Sequence, residues 1–224
     1  MSIVSANYRA VIFDLDGTLL DTIVDIALAM NRVLESRGLA PYNIADYKML
    51  VGDGIEEMIR RALPSSALTQ EDIAGIVRDY RREYECCWRG HSRPYPEIPE
   101  LLDGLARRGI KTAVLSNKSH PFTEAMTREL LASSRFDVVR GAMPGVPLKP
   151  DPRPALLIAG EIGVPPAEVI FLGDTKVDMQ TARAAGMFAA GALWGFRSEA
   201  ELRENGASAL IPSPLALLAY FPAA

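Results

Sequence analysis

Four short apolar runs along the chain each end at a polar residue or a glycine. Runs of this length that are apolar almost throughout are typical of strands buried on both faces of a sheet. Between the later runs lie segments with helical spacing of apolar residues, several of them closed by a glycine. The predicted strands are 10–13, 112–115, 169–172 and 187–194, and the predicted helices are 98–109, 121–133, 152–163 and 177–186.

The alternation of strands and helices predicts the fold class. Strand-helix-strand units build parallel sheets, and right-handed crossovers place the helices on both faces. We therefore predict an α/β fold with a doubly wound, Rossmann-like parallel sheet. Ligand sites of such sheets lie at the carboxyl ends of the strands, which is where the polar residues that end these runs are found.

Residues 22–90 interrupt this rhythm, because they carry helical patterns and no convincing strand. Three prolines within 91–99 predict a stiff hinge where the chain returns to the sheet. We predict a core domain of residues 1–17 and 91–224 and a small helical cap domain of residues 18–90, inserted after the first strand. In the first cap helix, the apolar residues at helical spacing are Ile23, Ile26, Ala27, Met30, Val33 and Leu34.

Composition and charge narrow the classes of function. The 224 residues are 49% hydrophobic and carry a formal net charge of -4, so no basic field is available for a nucleic-acid backbone. No leader pattern or bilayer-spanning run is visible, and we expect a cytoplasmic protein without nucleic-acid or membrane partners. Cys86 and Cys87 are adjacent, which disfavours a disulfide between them and favours two reduced structural thiols.

Acidic and basic residues collect at the predicted strand ends. A cluster of carboxylates repels itself unless a cation lies among them, and hard oxygen ligands of this kind suit Mg²⁺. Basic residues beside such a metal indicate an anionic substrate. The residues concerned are Asp14, Asp16, Ser116, Asn117, Lys118, Lys149, Asp174 and Asp178.

Asp14 and Asp16 are the candidates for the chemistry itself. The chain contains only two histidines, which argues against phosphohistidine chemistry and leaves an aspartate nucleophile, with Asp14, the residue that follows the first strand, as the candidate. Asp16 reaches the same cavity only if the chain turns after Asp14, and Gly17 permits that turn. Asp16 can then act as general acid and base.

Each of the other residues also has a structural explanation. Lys149 could be a solvated loop lysine, and Ser116 with Asn117 could cap a helix. Asp174 and Asp178 are four residues apart, so they share one face of a first helical turn if the helix begins near Asp174, and there they could equally be an N-terminal capping pair. Four such elements in this order favour a site over four unrelated coincidences.

These elements resemble the four motifs of the haloacid dehalogenase superfamily. The motifs are DLDGT at 14–18, SN at 116–117, Lys149 in LKPDP and GDTKVD at 173–178. The insert resembles the small α-helical cap of that family. Within the family, SNKSHPF, KPDP, GDTKVDMQTARAAG and the stretch at 193–214 most resemble the phosphoglycolate phosphatases.

The resemblance implies a set of roles for these residues. It makes Asp14 the nucleophile and a metal ligand, and Asp16 the acid and base with its backbone carbonyl on Mg²⁺. Asp174 would complete the metal's protein ligands. Ser116 and Asn117 would hold phosphoryl oxygens, Lys149 would neutralise phosphate and nucleophile, and Asp178 would orient Lys149 or a metal-bound water.

The implied function is Mg²⁺-dependent hydrolysis of a small phosphomonoester, above all 2-phosphoglycolate, through an aspartyl-phosphate. The resemblance leaves a nucleotidase, a pyrophosphatase or a sugar phosphatase open. Dehalogenases and phosphonatases lack the second aspartate that Asp16 supplies, and mutases of the family usually have Val in place of Thr18. A non-enzymatic binding protein would be expected to have lost at least one of Asp14, Asp16, Lys149 and Asp174.

The cap is predicted to select the leaving group. Lys48 could pair with a substrate carboxylate, and Gly52 lies in a loop between two predicted cap helices where glycines allow the backbone to approach a ligand closely. The alternative is a solvated lysine beside an ordinary turn. Oligomeric state is not predictable from these patterns.

Overall fold

The computed structural model describes residues 7–63 and 69–221, and the elements below belong to these ranges. Six parallel strands form the main sheet, and helices pack on both of its faces. The strands are β1 (Ala10–Phe13), β2 (Leu20–Asp21), β3 (Arg93–Pro94), β4 (Lys111–Ser119), β5 (Val138–Ala142), β6 (Val169–Gly173), β7 (Phe188–Ala192) and β8 (Ala209–Ile211). The α-helices are α1 (Ile23–Glu35), α2 (Tyr47–Leu50), α3 (Ile55–Ala62), α4 (Gln70–Cys87), α5 (Ile98–Arg107), α6 (His120–Leu130), α7 (Arg153–Ile162), α8 (Lys176–Ala184) and α9 (Glu199–Glu204).

The main sheet has the strand order β5-β4-β1-β6-β7-β8, and every neighbouring pair in it is parallel. The predicted doubly wound α/β fold is therefore confirmed, and the four predicted strands correspond to β1, β4, β6 and β7. The edge strands β5 and β8 were not predicted. The connection from β1 runs to β4 on one side, and the chain later returns to β6 on the other side, so β1 lies at the topological switch point.

β1 shows why this sheet is buried on both faces. Val11 and Phe13 belong to one apolar cluster, whereas Ala10 and Ile12 belong to a second cluster across the sheet. Alternate residues of a strand point to opposite faces, so a strand between two layers of helices must be apolar at every position. All four residues of β1 are fully buried.

The predicted helical insert is present between β1 and β4. Its longest helices, α1 and α4, pack against each other, and the six apolar residues predicted to form the stripe of α1 are all buried. A capping box fixes the start of α4, because Thr69 and Asp72 exchange side-chain to backbone hydrogen bonds there. The insert therefore forms a helical cap above the carboxyl ends of the strands. No helix in the described ranges has the length and hydropathy needed to cross a membrane.

Two chain segments join the cap to the sheet, and they are tied together. β2 pairs antiparallel with β3, so the predicted proline-rich exit forms part of a two-stranded ribbon. The buried carboxylate of Asp25, in α1, accepts hydrogen bonds from the backbone and side chain of both His91 and Ser92. Asp25 thus fastens the start of the cap to its exit segment.

Replacing Asp25 with Asn is expected to lower the free energy of unfolding by about 3 kcal/mol, because an amide cannot accept all these bonds in a buried position. Burial acts against ionisation, yet the bonds from His91 and Ser92 hold the pKa of Asp25 below its ordinary value. Its contribution is therefore full above the unfolded pKa and is lost as pH falls through the folded pKa. Urea unfolding at pH 7 and pH 3 measures both effects. Asp103→Asn, at an exposed ion pair with Arg107, is the control; equal losses in the two variants would contradict this role of Asp25.

Candidate active site

The predicted nucleophile lies directly beyond the central strand. Asp14 is almost fully buried, and its Oδ1 accepts a hydrogen bond of 2.7 Å from the backbone N–H of Leu15. Gly17 then takes a positive φ of 86°, and its N–H bonds to the carbonyl of Leu20. The turn predicted after Asp14 is therefore present, and it brings Asp16 to the rim of the same pocket.

Lys149 links two carboxylates beneath the pocket. Its Nζ lies 2.8 Å from Asp14 Oδ1 and 2.7 Å from Asp178 Oδ1, with side-chain exposures of 1% for Lys149 and 0% for Asp178. Burial opposes protonation of an amine, but the charges and hydrogen bonds of these two carboxylates outweigh it and raise the pKa of Lys149. Lys149 is a buried, charged bridge, and the solvated-loop alternative is excluded.

Asp178 has two roles at once. Its Oδ1 holds Lys149, while its Oδ2 accepts hydrogen bonds from the backbone N–H and the hydroxyl of Thr175, the N-cap residue of α8. Asp178 therefore caps α8 and also contacts Lys149, and its functional role stays a prediction. Asp174 and Asp178 do not share a first helical turn, because α8 begins at Lys176 and Asp174 precedes the helix.

Asp174 follows β6 and is completely buried. Its Oδ1 accepts a hydrogen bond from the Thr18 hydroxyl and its Oδ2 accepts one from the N–H of Phe196. A methyl group built on Gly17 or Gly195 would overlap the Asp174 side chain, so the two glycines make room for this carboxylate. Each oxygen keeps a lone pair for a further ligand.

Oxygen atoms of Asp14, Asp174 and Asp178 all lie within 4.8 Å of one another. Burial, opposed by Lys149 and reinforced by Asp178, raises the pKa of Asp14 to about 7, and burial with the two neighbouring carboxylates raises that of Asp174 well above its ordinary value. Asp178 is bound through both oxygens to Lys149 and Thr175, which leaves Asp14 and Asp174 as the better candidates to bind a cation. A pair of hard oxygen ligands that otherwise repel each other fits Mg²⁺, which takes few protein ligands and keeps several waters.

Asp16 does not join this cluster through its side chain. Its two carboxylate oxygens lie 3.1 and 3.0 Å from Nζ of Lys118, and that Nζ also lies 4.4 Å from the ring centroid of Tyr84 in α4. The sequence predicts that Lys118 lies at a strand end, but it predicts no catalytic or binding role for this residue. In the structure it connects the predicted acid and base to the cap.

Ser116 and Asn117 lie in the last part of β4 and both line the pocket. The Asn117 side chain donates to the carbonyls of Gly52 and Lys149 and accepts from the N–H of Lys149. Its carboxamide is therefore occupied in joining β4, the Lys149 loop and the cap loop, and the capping alternative fails because Ser119 is the N-cap residue of α6.

The pocket lies between the cap and the carboxyl ends of the strands and has a volume of about 700 Å³, including its opening to solvent. Gly52 borders it with a positive φ of 118°, in a loop held from the core by the buried Arg197, which donates to the Val51 carbonyl at 2.9 Å. Lys48 lies on α2 with an exposed side chain and is not among the residues that border the pocket. Its predicted contact with substrate stays a prediction.

Sequence comparison finds many proteins similar to this chain. A family model described as "Haloacid dehalogenase-like hydrolase" matches residues 11–192. The chain is 33% identical to the phosphoglycolate phosphatase of Aquifex aeolicus (strain VF5), over 84% of this chain and 86% of the relative. It is 35% identical to that of Xylella fastidiosa (strain 9a5c), over 85% of this chain and 82% of the relative.

Solved structures give the same picture. A candidate phosphoglycolate phosphatase from Lactobacillus delbrueckii subsp. bulgaricus superimposes with a TM-score of 0.90 at 29% identity, covering 96% of this chain and 99% of the other. CbbY from Rhodobacter sphaeroides, crystallised in complex with phosphate, superimposes with a TM-score of 0.81 at 26% identity, covering 96% and 99%. These matches extend over the cap as well as the sheet.

Proposed function

Because the chain belongs to the haloacid dehalogenase-like hydrolase family and is a phosphatase, we propose that it hydrolyses a small phosphomonoester, above all 2-phosphoglycolate, with Mg²⁺ and through an aspartyl-phosphate on Asp14. One observation carries the proposal. A buried nucleophile candidate, a buried lysine and a second metal-ligand candidate, Asp174, meet at the carboxyl ends of adjacent strands.

Asp14 is oriented for attack by its neighbours. Every hydrogen bond that the described residues give to its carboxylate ends at Oδ1, from Leu15 and Lys149. Oδ2 is therefore the oxygen free to attack phosphorus, with the bond between phosphorus and the leaving oxygen breaking as the new one forms. The Lys149 charge lowers repulsion between the anionic nucleophile and the anionic phosphoryl group.

Asp16 is proposed to move the protons. It gives a proton to the leaving oxygen in the first step, and in the second it takes one from the water that attacks phosphorus and releases Asp14. Lys118 also borders the pocket, so an anionic substrate competes with Asp16 for its ammonium. Ser116 and the backbone N–H of Asn117 would hold phosphoryl oxygens.

Asp14 and Asp174, with the backbone carbonyl of Asp16, would hold the metal. Mg²⁺ bound there supplies positive charge to the oxygens of the phosphoryl group as it is transferred. The two glycines beside Asp174 leave room for its carboxylate, and the hydrogen bonds from Thr18 and Phe196 hold it in position.

A substrate screen tests the proposed function. Purified protein with Mg²⁺ is assayed for phosphate release from 2-phosphoglycolate, sugar phosphates, mononucleotides and pyrophosphate. A kcat/KM for 2-phosphoglycolate at least about tenfold above the others is expected for a site tuned to it. Comparable values for all would indicate a general phosphatase, and preference for a nucleotide, pyrophosphate or a sugar phosphate would replace the proposed substrate.

Asp16→Asn is expected to lower kcat by about 10²- to 10⁴-fold, because an amide can neither give nor take the proton. Asp14 and Lys149 stay in place and Lys118 loses its ion pair with Asp16, so substrate should bind at least as tightly as in the wild type. Steady-state assays together with equilibrium binding of substrate measure the two effects. Asp21→Asn, at a partly buried aspartate of β2 outside the pocket, is the matched control, and an unchanged kcat in Asp16→Asn would assign Asp16 a structural role.

A further inference from the structure

The positive charges around the pocket differ in whether they are already paired. Lys149 is held by Asp14 and Asp178, and Lys118 is held by Asp16. Arg81 also borders the pocket, but it makes no ion pair with any residue in 7–63 or 69–221. Its neighbour in sequence, Arg82, pairs with Asp79 and Glu83. Arg81 is thus a pocket cation whose charge is available to a ligand.

Arg81 lies on α4 among the residues of the cap that border the pocket. The rings of Tyr80 and Tyr84 stack at 5.5 Å between centroids, and Tyr84 in turn meets Lys118 and the ring of Phe122. Residues three apart on a helix are neighbours on its surface, so Arg81 lies beside Tyr84 at the cap wall. The core carboxylates form the facing wall of the same pocket.

The remaining cap wall offers little to a charged leaving group. Ile55, Met58 and Tyr80 border the pocket with mostly apolar surface. An anionic group that entered this space would lose its water and would need a cation in return. A guanidinium meets a carboxylate with two parallel hydrogen bonds, and Arg81 is an arginine placed where such a group would arrive.

We propose that Arg81 is a specificity-determining residue that binds the anionic group of the leaving alcohol, such as the carboxylate of 2-phosphoglycolate. The inference rests on the proposed function, since it names the part of that site which selects the substrate. It also separates two candidate cations of the cap, because the side chains of Lys48 and Arg81 are both exposed but only Arg81 borders the pocket.

Matched substrates and variants test the role of Arg81. 2-Phosphoglycolate and monoethyl phosphate have leaving groups of similar size, and only the first carries a carboxylate. Arg81→Ala is expected to raise KM for 2-phosphoglycolate about tenfold while changing kcat, and KM for monoethyl phosphate, less than twofold. Arg81→Lys should raise KM for 2-phosphoglycolate less than Arg81→Ala does, because lysine keeps the positive charge but cannot donate two parallel hydrogen bonds to the carboxylate.

Two further variants serve as controls. Arg78, one turn earlier on α4, is exposed and does not border the pocket, so Arg78→Ala should leave both KM values unchanged. Lys48→Ala compares the two cap cations, and a rise in KM for 2-phosphoglycolate that is confined to Arg81→Ala assigns the carboxylate contact to Arg81. Thermal unfolding of each variant shows that the fold is intact.

Several outcomes would overturn the assignment. Equal KM changes for the two substrates in Arg81→Ala, no change at all, or a selective change in Lys48→Ala instead would each contradict it while leaving the phosphatase function intact. A wild-type enzyme that shows no preference between the two substrates would also overturn it. Absence of hydrolysis of every phosphomonoester would refute the proposed function, and the inference with it.

Discussion

Asp14→Asn should reduce turnover of any phosphomonoester by at least about 10⁴-fold, because it replaces the attacking oxygen with an amide of nearly the same shape. The fold should persist, since the carboxamide oxygen can still accept the bonds from Leu15 and Lys149 that reach Oδ1. Steady-state phosphate release measures the loss, with thermal unfolding as the check on folding.

Asp151→Asn is the matched control for this variant. Asp151 lies two residues after Lys149, pairs with Arg153 and does not border the pocket, so its replacement should leave kcat within about twofold. If Asp14→Asn kept activity within a few-fold of wild type, Asp14 would not be the nucleophile, and a direct attack of water on phosphorus would be the alternative.

Removal of divalent metal should lower activity by at least about 10³-fold, because neither Lys149 nor Lys118 can replace the charge of Mg²⁺ at the phosphoryl oxygens. Dialysis against a chelator followed by assay measures the loss, and added Mg²⁺ should restore the rate. Ca²⁺ should not restore it and should inhibit, because its higher and looser coordination misplaces the nucleophile.

Binding of the metal also has a readout that does not depend on activity. Mg²⁺ should raise the midpoint of thermal unfolding of the wild type, since a ligand that binds the folded state stabilises it. The rise should be smaller in Asp174→Asn, which loses the charge of one of the two carboxylates proposed to bind the ion. Full activity in the presence of chelator would contradict the assignment of this cluster as a metal site.

The strands of the sheet centre could be predicted because they are apolar at every position, and the site could be predicted because parallel strands end at one edge. The edge strands β5 and β8 could not be predicted from a continuous apolar pattern. Val138 and Val139 are only half-buried, and β8 has a single buried residue, so neither has the continuous apolar pattern of a central strand. Edge strands need not be buried on both faces.

Contacts between long side chains could not be predicted from sequence. Lys118 pairs with Asp16 and also lies over the Tyr84 ring of the cap. This contact depends on the rotamer that Lys118 adopts at the end of β4 and on the position of Tyr84. The choice between Lys48 and Arg81 depends on how the cap helices are tilted over the sheet. Sequence spacing fixes which residues share a helix face, and it does not fix which face meets the pocket.

The central claim, a phosphoryl group carried on Asp14, is tested most directly by trapping it. Wild-type and Asp16→Asn proteins are each mixed with substrate labelled in the phosphoryl group and quenched in acid within milliseconds to seconds, because loss of Asp16 slows the attack of water that releases the label. The account predicts label bound to protein in the peptide that contains Asp14, released by mild base, and none bound in Asp14→Asn. Turnover of wild type and of Asp16→Asn without protein-bound label at any quench time, or label on another residue, would contradict it.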